Sequence, residues 1–384
     1  MSHLPPGFVD TVSSAIPPKA GARLAVKDMI AVKGCRQTAG LPAYAHRRAD
    51  SDAAVVRRFT NAGYQVVGTT VTDCAGFGTM TDGLQNPIDP HRAVGGSSGG
   101  AAVALMAGAA DVALGTDTGG SVRIPAAYCE LYAFKPSLGV VPMDGVVPLA
   151  PSFDVVGVLA ASRDSLIPAA HTLIGANPLP PKRSPVIAVD GDGLDALDAS
   201  LKALFHAVAD GFGASTTIRR HTPFMRLARA HGAIACAEAL TVHGRAWRAD
   251  ASGFPGPIAM ALHHGAAATG EETRRARAVL GEVKELHLAA LDASGADVVL
   301  APTLPMPPAP RYAKAAVVEG RLVPITHANI RLTLNASIVG LPVVVAPIGG
   351  LSVQLIGRQG ADAQLLADAA VLLEHVAPHR ARGT

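Results

Sequence analysis

The chain has 384 residues, of which 49 % are hydrophobic and 16 % are charged. A chain of this length can bury a large core, and such an apolar composition is typical of a globular protein rather than a disordered one. The net charge of +3 is too small to indicate a nucleic-acid or membrane-surface partner.

The first regular elements predict a parallel βαβ unit. Arg23–Val32 has the β-branched, apolar pattern of a buried strand. Arg48–Gly63 predicts a helix, with Asp50 or Ser51 as its cap and Gly63 as its end. Tyr64–Thr70 has the pattern of a second strand. Two strands joined by a helix pair in parallel, with a right-handed crossover.

The rest of the chain alternates strands and helices. Further strands are predicted at Ala110–Thr116, Ala133–Pro136, Val186–Asp190, Asp297–Ala301 and Leu351–Ile356. Further helices are predicted at Gly100–Gly108, Gly193–Phe212, Phe224–Arg248, Glu271–Ser294 and Ala361–Val376. Thr333–Pro347 fits either a strand or a buried loop. We therefore predict an α/β fold with a mixed, mostly parallel central sheet flanked by helices.

The length allows one large α/β domain or two smaller ones, and we expect a single domain over residues 1–384. Its expected parts are a short Pro- and Gly-rich segment 1–22, a first half 23–176, a linker 177–185, and a second half 186–384 that includes a helical region 193–294. The start lacks the basic and apolar runs of a signal peptide. The apolar run Ala101–Leu114 is broken by Asp111 and is shorter than the ~18 residues of a membrane span. We therefore expect a cytoplasmic protein.

Cysteines and lysines are few enough to consider one by one. The four cysteines Cys35, Cys74, Cys129 and Cys236 form no C-x-x-C pair, so neither a zinc cluster nor a disulfide framework is expected. Only eight of the 33 basic residues are lysines, and Lys27 lies inside the first apolar strand. A lone lysine there is usually a strand end with its ammonium in water or paired to Asp28.

Two glycine-rich turns carry serines that suggest chemistry. Gly95–Gly100 holds Ser97 and Ser98, and Gly115–Ser121 ends on Ser121. Ser98 satisfies the G-x-S-x-G pattern of a Ser-His-Asp hydrolase, whereas Ser121 does not. None of the 14 histidines has a special local context, and we interpret them as exposed or satisfied side chains. Neither turn has the Walker A lysine or the G-x-G-x-x-G spacing of a nucleotide site.

A third hypothesis is a serine nucleophile with a lysine base. A serine hydroxyl needs a neighbour to take its proton, and a lysine can do so when burial lowers its pKa. Lys27, in its apolar strand, is the candidate for this base.

At this point the sequence resembles the amidase signature family of amide hydrolases. The segments that carry the resemblance are Ala25–Asp28, Gly95–Gly100, Leu114–Ala126, Phe134–Ser137, Asp297–Thr303, Asn335–Pro342, Leu355–Arg358 and Gly360–Ala363. They are distributed along the chain, so the resemblance covers nearly all of it from about residue 20.

The resemblance implies a mechanism and its residues. Ser121 matches the nucleophile, Ser97 a bridging serine that follows a cis peptide bond, and Lys27 the base. The backbone N–H groups of Thr118, Gly119, Gly120 and Ser121 match the oxyanion hole. No cofactor and no metal are implied.

Substrate contacts are predicted for Cys74, Ala75, Gly76, Phe77, Ser98 and Asp117, although Asp117 and Arg123 are expected mainly to brace the second turn. The implied reaction is hydrolysis of a small linear or urea-like amide. Two alternatives stay open: the glutaminase subunit of a tRNA-dependent amidotransferase, against which the short N-terminus and small size speak, and a catalytically idle scaffold. The expected partner is a small-molecule amide, with no nucleic acid and no membrane; a homodimer is a further hypothesis.

Overall fold

The computed structural model describes residues 4–12, 21–182, 184–220 and 223–376, so parts of the predicted N-terminal segment and linker lie outside the described residues. The strands are β1 (Phe8–Thr11), β2 (Arg23–Lys27), β3 (Gln65–Thr70), β4 (Val112–Asp117), β5 (Tyr132–Lys135), β6 (Val155–Ala160), β7 (Ile187–Asp190), β8 (Thr216–Ile218), β9 (Val298–Pro302), β10 (Ala315–Val318), β11 (Arg321–Pro324), β12 (Val343–Ile348) and β13 (Leu351–Ile356). The α-helices are α1 (Ala54–Asn61), α2 (Gly99–Met106), α3 (Arg123–Tyr128), α4 (Arg163–Ile174), α5 (Gly191–Asp195), α6 (Ala199–Gly211), α7 (Phe224–Ala249), α8 (Pro257–Ala267), α9 (Gly270–Ser294), α10 (Ile325–Ile330), α11 (Leu334–Val339) and α12 (Asp362–Val376).

One mixed sheet of eleven strands organises the molecule, in the order β1-β3-β2-β4-β6-β5-β12-β13-β9-β7-β8. The predicted α/β class, with a mixed sheet flanked by helices in a single domain, is confirmed. Parallel pairing occurs in the groups β3-β2-β4 and β9-β7-β8. The other six pairings are antiparallel, a larger share than the sequence pattern indicated. Strands β10 and β11 form a separate hairpin.

The first parallel group places its strand ends at one edge of the sheet. In β2 and its two neighbours, Lys27 pairs with Thr70 and Val26 pairs with Leu114. Lys27 is the last residue of β2, and Asp117 is the last residue of β4. In open α/β sheets, ligands bind outside the carboxyl ends of the strands. The loops that follow β2, β3 and β4 are therefore the place to look for a site.

Hydrophobic cores cover both faces of the sheet. Successive strand residues point to opposite faces, and accordingly Leu24 and Val26 belong to one core while Ala25 belongs to the other. A third core joins helices α7 and α8 to loop residues such as Met29 and Phe153. Helix α7 thus packs against the loops at the edge where β2 ends. No helix in the described part of the chain is long and apolar enough to cross a membrane.

The structure corrects several predicted elements. The strand predicted over Arg23–Val32 ends at Lys27, and the helix predicted over Gly193–Phe212 is divided into α5 and α6. Helix α1 begins at Ala54 rather than at Arg48, and its N-cap residue Ala53 makes no side-chain cap. The reason is tertiary: Arg48 and Ala49 form bridges with the segment after β2. The stretch Thr333–Pro347 is neither one strand nor a loop. It contains α11, which ends at Gly340 in a left-handed conformation, and then β12.

Candidate active site

Lys27 lies at the centre of the candidate site. Its side chain is completely buried. The Nζ atom donates hydrogen bonds to Ser97 Oγ (2.7 Å), Thr116 Oγ1 (2.8 Å) and Ser98 Oγ (3.0 Å). These three acceptors are neutral hydroxyls, so the amine sits among groups that can exchange protons with it but do not neutralise an ammonium charge.

The surroundings of Lys27 favour its neutral form. Burial lowers the pKa of Lys27 to about 7, while the negative charges of Asp73, Asp117 and Asp154 oppose this shift. Near pH 7 the neutral amine is therefore accessible, and in that form Nζ keeps two N–H donors for Ser98 and Thr116 and has a lone pair directed to the Ser97 hydroxyl. Such an amine can accept a proton, which the ammonium cannot.

The first glycine turn presents Ser97 to Lys27. The Gly96–Ser97 peptide bond is cis, as the resemblance implies. A Cβ on Gly96 would overlap the carboxylate of Asp73, so only glycine fits at this position. The turn therefore holds the Ser97 hydroxyl at hydrogen-bond distance from the amine at the end of β2.

The second turn carries backbone donors that point to no protein partner. Thr118–Ser121 is buried, and its four backbone N–H groups donate to no other group among the described residues. Buried N–H groups without partners are rare in folded proteins. Donors of this kind can bind an oxygen that gains negative charge during a reaction.

Hydrogen bonds hold this second turn on several sides. Thr333 Oγ1 donates to the Gly119 carbonyl (2.6 Å), and Thr118 Oγ1 donates to Asp154 Oδ1 (2.6 Å). The Ser98 backbone N–H donates to the Ser121 carbonyl (3.2 Å) and so joins the two turns. The structure therefore places Ser97 and Ser121 on adjoining turns. Among the described residues, no hydrogen bond joins their two side-chain hydroxyls.

Asp117 and Arg123 form a buried ion pair beneath the second turn. Both side chains are fully buried, and Arg123 Nη2 lies 2.9 Å from Asp117 Oδ1. Asp117 Oδ2 also accepts from the backbone N–H of Val122 (3.1 Å). Burial alone would raise the pKa of Asp117, but Arg123 holds it below its usual range. The predicted brace is therefore present. The oxygens of Asp117 are occupied inside the turn, and its suggested substrate contact stays a prediction.

Ser98 supports Lys27, and its predicted role as a substrate contact stays a prediction. Its side chain is completely buried, accepts from Lys27 Nζ and donates to the Thr116 carbonyl (3.3 Å). These partners include no histidine, so the match of Ser98 to the G-x-S-x-G pattern does not place it in a Ser-His-Asp arrangement.

The segment Cys74–Phe77 lies on the Ser97 side of the site. Cys74, Ala75 and Gly76 form a short 3-10 turn directly before Phe77. A Cβ on Gly76 would lie 3.6 Å from Ser97 Oγ. Ala75 and Gly76 are buried, whereas Cys74 and Phe77 are half-buried. Their role as substrate contacts stays a prediction.

One histidine that sequence reasoning passed over lies against the second turn. A Cβ on Gly119 would be 3.6 Å from His231 Cε1. The His231 ring also packs on Phe153, with ring centroids 4.4 Å apart. Glu238, on the same helix α7, accepts from the Ser152 backbone N–H (2.9 Å) and holds this loop in place. No local pattern marks His231, because only the packing of α7 brings it to the site.

Comparison with known proteins gives a family match. The family model described as Amidase matches residues 10–222. One component of the glutamyl-tRNA(Gln) amidotransferase of Natronomonas pharaonis is 40 % identical over 187 residues, which are 46 % of this chain and 44 % of that protein. Amidase 1 of Arabidopsis thaliana is 35 % identical over 222 residues, 55 % of this chain and 52 % of that protein. The matches thus span about half or less of these relatives.

A similar solved structure extends the likeness to most of the chain. This crystal structure of an amidase has a TM-score of 0.85 and 30 % sequence identity, and the similarity covers 92 % of this chain and 84 % of that one. The structural likeness therefore extends well beyond the residues that the family model matches.

Proposed function

The chain belongs to the amidase family, and on this basis we propose that it hydrolyses the C–N bond of a small linear or urea-like amide. The products are ammonia, or an amine, and a carboxylate. The observation that carries the proposal is the buried Lys27, whose Nζ lies 2.7 Å from Ser97 Oγ at the edge of the sheet.

A proton relay activates the nucleophile in this proposal. The neutral amine of Lys27 accepts the proton of Ser97 Oγ while Ser97 accepts the proton of Ser121 Oγ. The Ser121 oxygen then forms a bond to the amide carbonyl carbon. A serine hydroxyl is a weak nucleophile until a neighbouring base takes its proton, so the relay supplies what Ser121 lacks.

The second turn stabilises the intermediate. The carbonyl oxygen becomes negative when Ser121 attacks, and the backbone N–H groups of Thr118–Ser121 are the donors proposed to bind it. Removal of one such donor typically costs about 3–4 kcal/mol in the transition state. Collapse breaks the C–N bond, Ser97 gives a proton to the leaving nitrogen, and Lys27 returns its proton to Ser97. Water then attacks the acyl group on Ser121 and gives up a proton to the relay, and the carboxylate leaves as Ser121 regains its proton.

Replacement of the nucleophile tests the proposal. We expect Ser121→Ala to lose ammonia release from small amides while its unfolding transition stays close to that of the wild type. Ser51→Ala is the matched control, because Ser51 is exposed and lies outside the site. Ammonia release by Ser121→Ala at the wild-type rate would refute the role of Ser121.

A second candidate function follows from the similarity to a component of a tRNA-dependent amidotransferase. In that case the chain would act as a glutaminase within a complex. Purification of the native protein distinguishes the two: a co-purifying partner, together with glutaminase activity that depends on it, favours the second function. Activity of the isolated chain on small amides favours the first.

An idle scaffold is the remaining alternative. A phosphonate reagent that labels Ser121 would exclude it, because only an activated serine reacts in this way. The cytoplasmic location and the homodimer stay predictions.

A further inference from the structure

The Gly119–Gly120 peptide is the part of the second turn that is freest to rotate. Both of its residues are glycines, and Gly120 has φ +140°. Because neither residue carries a Cβ, the plane of this peptide can adopt several orientations at little steric cost. The local sequence therefore does not fix the direction of the Gly120 N–H group, and a contact from elsewhere in the fold has to do so.

Thr333 supplies that contact from the second half of the chain. Its side chain is fully buried, and Oγ1 donates to the Gly119 carbonyl at 2.6 Å. A hydroxyl has one proton, and the other carbonyl within reach, that of Ile330, is 3.4 Å away. Thr333 directly precedes α11, and threonine is a favoured N-cap residue, yet its side chain does not cap this helix. The hydroxyl is thus committed to the second turn.

The buried ion pair beneath the turn holds Thr333 in place. Arg123 Nη1 donates to the Thr333 carbonyl (2.7 Å), and Arg123 Nη2 donates to Ser337 Oγ (2.7 Å) on α11. Arg123 is itself paired with Asp117, the residue that ends β4 just before the turn. The Thr333 hydroxyl and the Gly119 carbonyl that it contacts are therefore fixed to the same buried network.

The geometry of the peptide carries this contact over to the Gly120 N–H group. The Gly119–Gly120 bond is trans, and in a trans peptide the C=O and N–H groups point in opposite directions. The Gly119 carbonyl points to Thr333, so the Gly120 N–H points away from it, where it meets no acceptor among the described residues. A hydrogen bond at the carbonyl also polarises the peptide and strengthens its N–H as a donor.

We infer that Thr333 is a positioning residue whose hydroxyl holds and polarises the Gly119–Gly120 peptide, so that the Gly120 N–H is directed at the oxyanion. This inference rests on the proposed amidase function and extends its machinery to a residue beyond the range 10–222 that the family model matches. Rotation of this peptide would turn the donor away from the oxygen that becomes negative when Ser121 attacks.

Two replacements of Thr333 test the inference. Thr333→Val removes the hydroxyl and keeps the shape of the side chain, whereas Thr333→Ser keeps the hydroxyl. The substrate is whichever of propionamide, biuret and indole-3-acetamide the wild type hydrolyses fastest. We expect kcat to fall about 10-fold in Thr333→Val, the effect of one neutral hydrogen bond. KM should stay the same, because the donor is needed only when the carbonyl oxygen becomes negative.

Thr333→Ser should keep the wild-type kcat. The matched control is Thr172→Val, because the Thr172 hydroxyl also donates to a carbonyl, that of Pro168 (3.0 Å), but does so within α4. Labelling of Ser121 by an alkyl fluorophosphonate gives a readout that needs no substrate, since the phosphoryl oxygen gains negative charge in that reaction as well. Its rate should fall about 10-fold in Thr333→Val only.

The contact itself has a spectroscopic signature. Glycine labelled with ¹³C at the carbonyl and with ¹⁵N gives carbonyl-to-amide correlations only from the four Gly–Gly peptides of the chain. The signal of Gly119–Gly120, identified by its loss in Gly120→Ala, should shift in Thr333→Val and return in Thr333→Ser.

The outcomes separate this inference from the proposed function. Wild-type kcat in Thr333→Val, or an unshifted Gly119–Gly120 signal, would overturn the inference and leave the amidase proposal standing. A rise in KM together with a loss that Thr333→Ser does not restore would also overturn it, because the residue would then only support the fold. A wild type that hydrolyses none of the three amides and is not labelled at Ser121 would refute the proposed function, and the inference with it.

Discussion

Replacement of Lys27 by methionine tests two consequences of burying this lysine. One is the pH dependence of the free energy of unfolding, and the other is the supply of a neutral amine as the base. The pKa of Lys27 is about 7 in the folded protein, against an ordinary value of 10.5. Between these pH values the unfolded chain binds a proton that the folded chain does not. The free energy of unfolding therefore rises with pH over this window, and the penalty for burying the lysine is fully present below pH 7.

The size of this effect follows from the two pKa values. Integration of the difference in bound protons from pH 7 to pH 9 gives about 2 kcal/mol of added stability from Lys27 alone. Lys135 is also buried with a pKa of about 7 and adds a rise of the same sign. Because Lys135 is present in both proteins, its contribution cancels when the wild type and Lys27→Met are compared.

Urea unfolding at pH 7, 8 and 9 measures the difference. We expect the gain in unfolding free energy from pH 7 to pH 9 to be about 2 kcal/mol smaller in Lys27→Met than in the wild type. The exposed Lys33 provides the control Lys33→Met, which should follow the wild-type curve. Parallel curves for the wild type and Lys27→Met would refute the lowered pKa of Lys27.

The same variant tests the proposed base. Loss of a general base typically lowers the rate by about 10²–10⁴-fold. We expect such a loss of ammonia release in Lys27→Met and none in Lys33→Met. In the wild type, kcat/KM should rise as the pH passes upward through about 7, since the neutral amine is the reactive form. A wild-type profile that falls over this range would contradict the assignment.

Two further predictions concern the second turn. Arg123→Met should lower the free energy of unfolding by about 3–5 kcal/mol, because it leaves the Asp117 carboxylate buried without its cation. An unchanged midpoint of urea unfolding would contradict this prediction. Gly120→Ala should lower kcat/KM, because Gly120 has φ +140° and a Cβ there would overlap Thr333 Oγ1. The control is Gly108→Ala, which should retain the wild-type kcat/KM. Gly108 has φ +66°, and a Cβ there would meet open space.

Elements with strong local periodicity could be predicted from the sequence. The βαβ unit is confirmed, with β2 and β3 parallel around α1. The long helix predicted from Glu271 begins one residue earlier, at Gly270, where Thr269 and Glu272 form a capping box. Spacing and capping act over a few residues, so a single sequence carries this information.

Elements whose ends depend on distant partners could not be predicted in this way. The start of α1 depends on the pairing of Arg48 and Ala49 with the segment after β2, and not on the polar residues Asp50 and Ser51. Helix α8 was not predicted at all. The proportion of parallel strand pairs could not be predicted either, because strand partners such as β5 and β12 lie far apart in the chain.

The candidate catalytic residues could be predicted from the sequence alone. The sequence shows two glycine turns with Ser97 and Ser121 and an unusual lysine in an apolar strand, and the family resemblance connects them. The burial and the contacts of each of these groups depend on the folded chain. Folding buries Lys27 among three hydroxyls, pairs Asp117 with Arg123, and brings His231 close to the second turn. The physical reason is that burial lowers the pKa of an amine or an imidazole through the removal of water, and this removal requires elements from the whole chain.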